Sequence, residues 1–191
     1  AKAPWRSVST MILQAGDVFV KAATAEDYDD KVQTSLIIRG RNDWDGNVIS
    51  LRAFVTPDDP DILKYTRTVL SNYKDSLASL PKELEHLQSA RWLFNEFASR
   101  LIYVNDPQTS KDRVQYPSET LSLRGGDCDD MSVSFAAILS SIGVATAFVD
   151  VIPPNRPDEG HIYLLFDTGV PTAQASIVST NPKRYVLRKN E

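Results

Sequence analysis

An α+β domain is predicted by three observations. Met131 to Ile142 is an apolar run of helix length, lying directly behind an acidic cluster. Val144 to Ile152 and His161 to Phe166 are apolar, strand-like runs rich in β-branched and aromatic residues. Between Ile62 and Leu101, apolar positions recur at spacings of three and four, the period of helices buried on one side.

Taken in order, residues 1–25 are mixed and predict no element. Val32 to Arg39 and Val48 to Val55 read as two strands, joined by the turn-rich Arg41-Asn42-Asp43-Trp44-Asp45-Gly46-Asn47, so a β-hairpin is expected over 32–55. Trp44 is expected to fold onto that hairpin rather than meet a ligand. Thr56-Pro57-Asp58-Asp59-Pro60 marks a boundary and a helix start, because acidic caps and a first-turn proline suit a helix N-terminus. The helix behind it carries Ile62, Tyr65, Val69, Tyr73, Leu77 and Leu80. Pro81 ends it and begins another with Leu84, Leu87, Arg91, Phe94, Phe97 and Leu101 on one side. Leu101 to Val104 is an extended exit. Asn105 to Arg124 reads as a polar loop of about twenty residues, a length that is uncommon and often functional. The organisation expected is a β-rich extension over 1–56 and a core over 57–191.

Composition excludes several classes. With 191 residues, 42% of them hydrophobic and 24% charged, the chain is long enough for one domain with a proper core. A net charge of -4 offers no basic footprint, so nucleic acid is not an expected partner. Lys183, Arg184, Arg188 and Lys189 read as a solvated face. Met131 to Val149 is uncharged, but Ser132, Ser134, Ser140 and Ser141 punctuate it and Gly143 breaks it. A buried helix and strand are expected, not a membrane span. One cysteine rules out an internal disulfide and leaves the compartment open, with an extracytoplasmic one (periplasmic or secreted) favoured. The absence of a starting Met fits a mature product or a piece of a larger protein.

The chemistry centres on that cysteine. Cys128 stands in Gly125-Gly126-Asp127-Cys128-Asp129-Asp130. Asp127 is a good N-cap, with Asp130 three residues on as in a capping box. Cys128 therefore falls in the first turn of the helix, where free N–H groups and the helix dipole favour an anionic sulfur and can hold an oxyanion. The glycine pair lets a substrate backbone approach. Three aspartates oppose the thiolate, so an imidazolium partner is needed. His161, which opens the second strand, is the candidate. The other histidine, His86, has no cysteine or histidine near it in sequence and reads as a surface or structural residue. Tyr103 and Tyr116 are candidates for lining a cleft.

Gly126-Asp127-Cys128-Asp129-Asp130, the helix ending in Ile142-Gly143-Val144, the strand and His161 resemble the transglutaminase-like superfamily, in particular its bacterial cysteine peptidases. Ile102-Tyr103-Val104-Asn105-Asp106 and Tyr116-Pro117-Ser118-Glu119-Thr120 are similar to that family's lead-in to the cysteine. The resemblance covers Asp61 to Asp167. It implies a papain-like fold with the nucleophile helix packed on an antiparallel sheet, Cys128 as nucleophile and His161 as general base and acid. It also implies an acid that orients the histidine, often in a Trp-x-x-x-Asp-Pro-like segment, which this chain lacks. Asp167 shares strand parity with His161, but six residues of strand span about 20 Å. If the chain turns near Gly169 to Thr172 and pairs back, Ser179 to Asn181 would come opposite His161, with Asn181 in a papain-like role. Otherwise the acid lies beyond Glu191. Asp127 and Asp129 are candidate oxygen ligands for calcium, set against the six to eight oxygens calcium takes; no other cofactor is expected.

The expected activity is acyl transfer from amide bonds of a protein or peptide substrate, with hydrolysis by a cysteine peptidase or amidase placed first. Amine cross-linking by a transglutaminase is the alternative within the same chemistry. A non-catalytic binding module on the same fold is the alternative from another class.

Overall fold

The computed structural model describes residues 12–21, 29–38, 40–106, 112–156 and 160–181. The architecture is α+β, built from helices and three two-stranded sheets. Strands β1 (Ile12–Lys21) and β2 (Asp29–Ile38) pair antiparallel, from Ile12 opposite Ile38 to Lys21 opposite Asp29. The hairpin therefore lies earlier than the expected 32–55. Of the two strands expected there, the first falls in β2. The second is a 3-10 helix, Val48–Ala53.

Local capping explains that change. Asn47 Oδ1 accepts from the Ile49 N–H, and Trp44 Nε1 donates to the Asn47 carbonyl and to Ser50 Oγ. These bonds close a tight turn where the β-branched composition suggested extension, so Trp44 folds onto a helix rather than a hairpin. The wound segment buries Leu51 and Phe54 against Val114, Val133 and Ile162 in one of two apolar clusters.

Helix α1 (Pro60–Ser71) starts as its caps predict, with the Asp59 carboxylate accepting from the Asp61 N–H and Pro60 at the first position. The expected long helix breaks after it. Tyr73 stacks on Trp92 at 4.5 Å, and a separate short α2 (Lys74–Ala78) follows. Helix α3 (Glu85–Arg100) buries Leu87, Ala90, Leu93 and Phe97. Phe94, expected on the same side, is 53% exposed.

Asn105 to Arg124 is not one loop. Helix α4 (Pro117–Leu123) occupies its second half, with Pro117 at the first position. The Glu119 carboxylate accepts from both the Tyr116 N–H and Asn42 Nδ2. The two-residue strands β3 (Ile102–Tyr103) and β4 (Gly125–Gly126) run parallel on either side of this helix, pairing Tyr103 with Gly126.

Helix α5 (Cys128–Ser140) runs through the core. Phe135, Ala137, Ile138 and Leu139 pack with Ile62, Leu93 and Phe97 in the larger cluster. Ile138→Ala is expected to cost about 2–5 kcal/mol, read as a lowered urea midpoint, because the side chain is fully enclosed. Gly143, at φ +81°, lets the chain turn back so that the Val144 N–H reaches the Leu139 carbonyl.

Strands β5 (Thr146–Val151) and β6 (His161–Phe166), each expected from its composition, pair antiparallel beside α5. Among the described residues, none after Gly169 pairs back onto β6. Residues Thr172–Ile177 form a 3-10 helix, so the anticipated third strand is absent among the described residues. No described helix is long and apolar enough to cross a membrane.

Candidate active site

Cys128 is the first residue of α5, and its position is fixed by a reciprocal cap. Asp127 Oδ1 accepts from the Asp130 N–H at 3.4 Å, and Asp130 Oδ2 accepts from the Asp127 N–H at 3.3 Å. Asp130, 1% exposed, also accepts from the Gln115 N–H at 2.6 Å. One carboxylate thereby ties the start of α5 to the segment that leads into α4. Gly126 is required for it. A Cβ there would sit 2.6 Å from Asp130 Cβ and 2.7 Å from Oδ2. The glycine admits the Asp130 side chain, rather than the substrate approach that the motif first suggests.

Around the sulfur, opposing influences meet. Burial pushes the Cys128 thiol up, and the charges of Asp129 and Asp127 add to it. The N–H groups of Ile162 and Asp129, turned towards the sulfur, pull it down. The thiol donates to Asp129 Oδ1 at 3.9 Å. Asp129 is itself pushed up to about 9, first by burial, then by a hydrogen bond to Asp127 and the charges of Asp127 and Asp130. Asp129 therefore holds its proton more tightly than an ordinary carboxyl group, which weakens the opposition it offers to a thiolate.

His161 is the first residue of β6 and is half-buried. It meets the Tyr163 ring edge-on at 4.5 Å between centroids. Cys128 and His161 line one cavity of about 1200 Å³, whose walls come from α3, α5 and β6. Among the described residues no hydrogen bond joins the two side chains. Tyr103 lines the same cavity, and burial, then the adjacent sulfur and aspartates, push its hydroxyl up. Tyr116 does not line it. That ring packs on Phe54 at 5.5 Å between centroids and lies 4.2 Å beneath the Arg41 guanidinium.

Neither Asp167 nor Asn181 is among the residues that line the cavity with His161. Asp167 lies at the opposite end of β6 from His161, where its Oδ1 accepts from the Gly169 N–H and its own N–H donates to the Ala145 carbonyl. The Asn181 N–H donates to Ser179 Oγ, on a segment that does not pair with β6. His86 touches Gly169 rather than the cavity, in line with a structural role. The contribution that sequence could not signal is that of Ile162, an aliphatic residue acting through its backbone N–H.

Asp127, Cys128 and Asp129 bring one donor atom each within 4.8 Å of one another. The set does not fit calcium. It offers two carboxyl groups and a sulfur where six to eight oxygens are needed.

No family model matches the chain, and no curated protein matches it. Among solved structures it is similar to a "putative protease" from Parabacteroides distasonis ATCC 8503, at 8% identity and a TM-score of 0.46. The match covers 82% of this chain and 35% of that one, so this chain spans about a third of that protein's length. A likeness of this size does not define a family.

Proposed function

We propose that the chain is a thiol-dependent amide hydrolase, a cysteine peptidase or amidase with a transglutaminase-like, papain-type core over residues 57–191 and an extension over 1–56. The observation that carries the reading is that Cys128, opening a buried helix, and His161, opening the neighbouring strand, face one cavity. Burial and aspartates hold the resting thiol protonated, so His161 takes the proton as sulfur attacks the amide carbon. The carbonyl oxygen gains the negative charge and is held by N–H groups of the first turn of α5. Collapse breaks the C–N bond, and the imidazolium returns its proton to the leaving amine. Water, deprotonated by His161, then releases the acid from the thioester and restores the thiol.

The same raised thiol favours a second reading, a non-catalytic binding module. The cavity lining also contains no carboxylate to orient His161 among the described residues. Iodoacetamide alkylation of Cys128 between pH 5 and 10 separates the two. An enzyme is expected to label near neutral pH, with a loss of about tenfold or more in His161→Ala. Labelling that rises only with a high-pH thiol, equally in both proteins, would leave the binding module.

A further inference from the structure

The hydrogen-bond parity of the β5–β6 ladder leaves one edge of β6 without a strand partner among the described residues. The Asp167 N–H donates to the Ala145 carbonyl, which makes 145 and 167 a hydrogen-bonded pair. Counting back by twos, Leu165, Tyr163 and His161 exchange their backbone bonds with β5, while Ile162, Leu164 and Phe166 turn theirs away from it. Ile162 bears this out: its carbonyl accepts at 3.2 Å from the Oγ of Ser132, on the helix that Cys128 opens. Leu164 and Phe166, next along the same edge, line the cavity that holds Cys128. The edge is therefore continuous with the nucleophile.

We infer that this edge receives the substrate as an added strand, so that the acyl donor is an extended polypeptide with bulky, uncharged side chains. The inference rests on Cys128 being the nucleophile. Strand addition supplies backbone bonds at Leu164 and Phe166, and side chains of the added strand alternate between two sides. On one side they enter the cavity, against Phe94 and Phe135. On the other they lie beside Tyr163 and Leu165, which are 51% and 56% exposed. Both sides are apolar. The described lining of the cavity contains no carboxylate to meet a cationic side chain, and its cationic candidates are Arg91 and His161. Lysine-rich peptides are thus poor occupants.

The test uses the full chain and peptidyl chloromethyl ketones, with iodoacetamide as a reference that needs no strand. Acetylated peptides of alternating Leu and Phe are expected to alkylate Cys128 about tenfold or more faster than Lys-rich ones of equal length, relative to that reference. N-methylation of every second amide should abolish the gain in one parity and spare it in the other, because only alternate amides pair with an edge. Equal effects of the two parities, or no gain for apolar peptides while iodoacetamide labelling still depends on His161, would overturn the inference and leave the catalytic reading standing. The second of these results would mean that another strand covers the edge. Iodoacetamide labelling that ignores His161 would remove the catalytic reading, and the inference with it.

Discussion

Gly126→Ala is expected to destabilise the protein by about 2–4 kcal/mol and to lower its melting temperature by about 5–15 °C. The added methyl would collide with Asp130, whose Cβ and Oδ2 lie 2.6 and 2.7 Å from its position. Asp130 cannot retreat without releasing the Gln115 and Asp127 N–H groups, both of which it holds in a buried setting. Nor can Gly126 shift freely, because its carbonyl accepts from the Val104 N–H and its partner in the parallel pair is Tyr103. The damage falls next to Cys128, so the alkylation profile should change with stability. Gly125→Ala is the comparison: its methyl meets the Ile102 carbonyl at 3.1 Å and Val104 Cγ2 at 3.2 Å, and a smaller loss is expected. Thermal unfolding followed by circular dichroism decides the matter. A Gly126→Ala protein that melts like the wild type would show that Asp130 does not bind the two segments together.

Stability is expected to rise as pH falls from 9 towards 4. Asp129 is pushed up to about 9 and Asp130 to about 6, in each case with burial as the largest cause. In the unfolded chain both ionise near the ordinary value of 3.8. The folded state therefore binds more protons than the unfolded one. The excess reaches two between about pH 4 and 6 and one between about 6 and 9, each excess proton giving a slope of about 1.4 kcal/mol per pH unit. This stabilisation is complete below the unfolded value and is lost as pH rises through 6 and then 9. Urea unfolding at pH 5, 7 and 8.5 reads the slope directly. Asp129→Asn, a neutral replacement of similar shape, should flatten the upper arm and keep the lower one. A wild-type protein equally stable at pH 7 and 8.5 would mean that Asp129 is ionised when folded.

The parts of the fold that sequence made legible are those whose burial is uniform. Phe135 to Leu139 are apolar on consecutive positions and could only be a core helix, and the β5 and β6 runs contain little but strand formers. Val48 to Val55 was misleading for the opposite reason. Its β-branched residues suggest extension, but Asn47, Trp44 and Ser50 close a turn through side chains whose partners depend on the folded chain. Helix α4 had a local signal in Pro117 and Glu119, hidden by a polar composition typical of loops. In the site, the motif around Cys128 marked a helix start correctly, because caps are local. The upward push on the Asp129 carboxyl could not be anticipated, since it follows from enclosure and from Asp127, not from sequence distance.

Among the serines that interrupt α5, Ser132 has a consequence beyond solubility. A strand can slip by two residues and still present the same alternation of inward and outward side chains, so apolar burial alone does not distinguish His161 from a neighbour two places away. Such a slip would carry the imidazole about 6–7 Å along the strand axis. The Ser132 hydroxyl, four residues beyond Cys128 on the same helix face, grips the Ile162 carbonyl. It works as an alignment pin: the helix that bears the thiol also sets which rung of the ladder stands beside it.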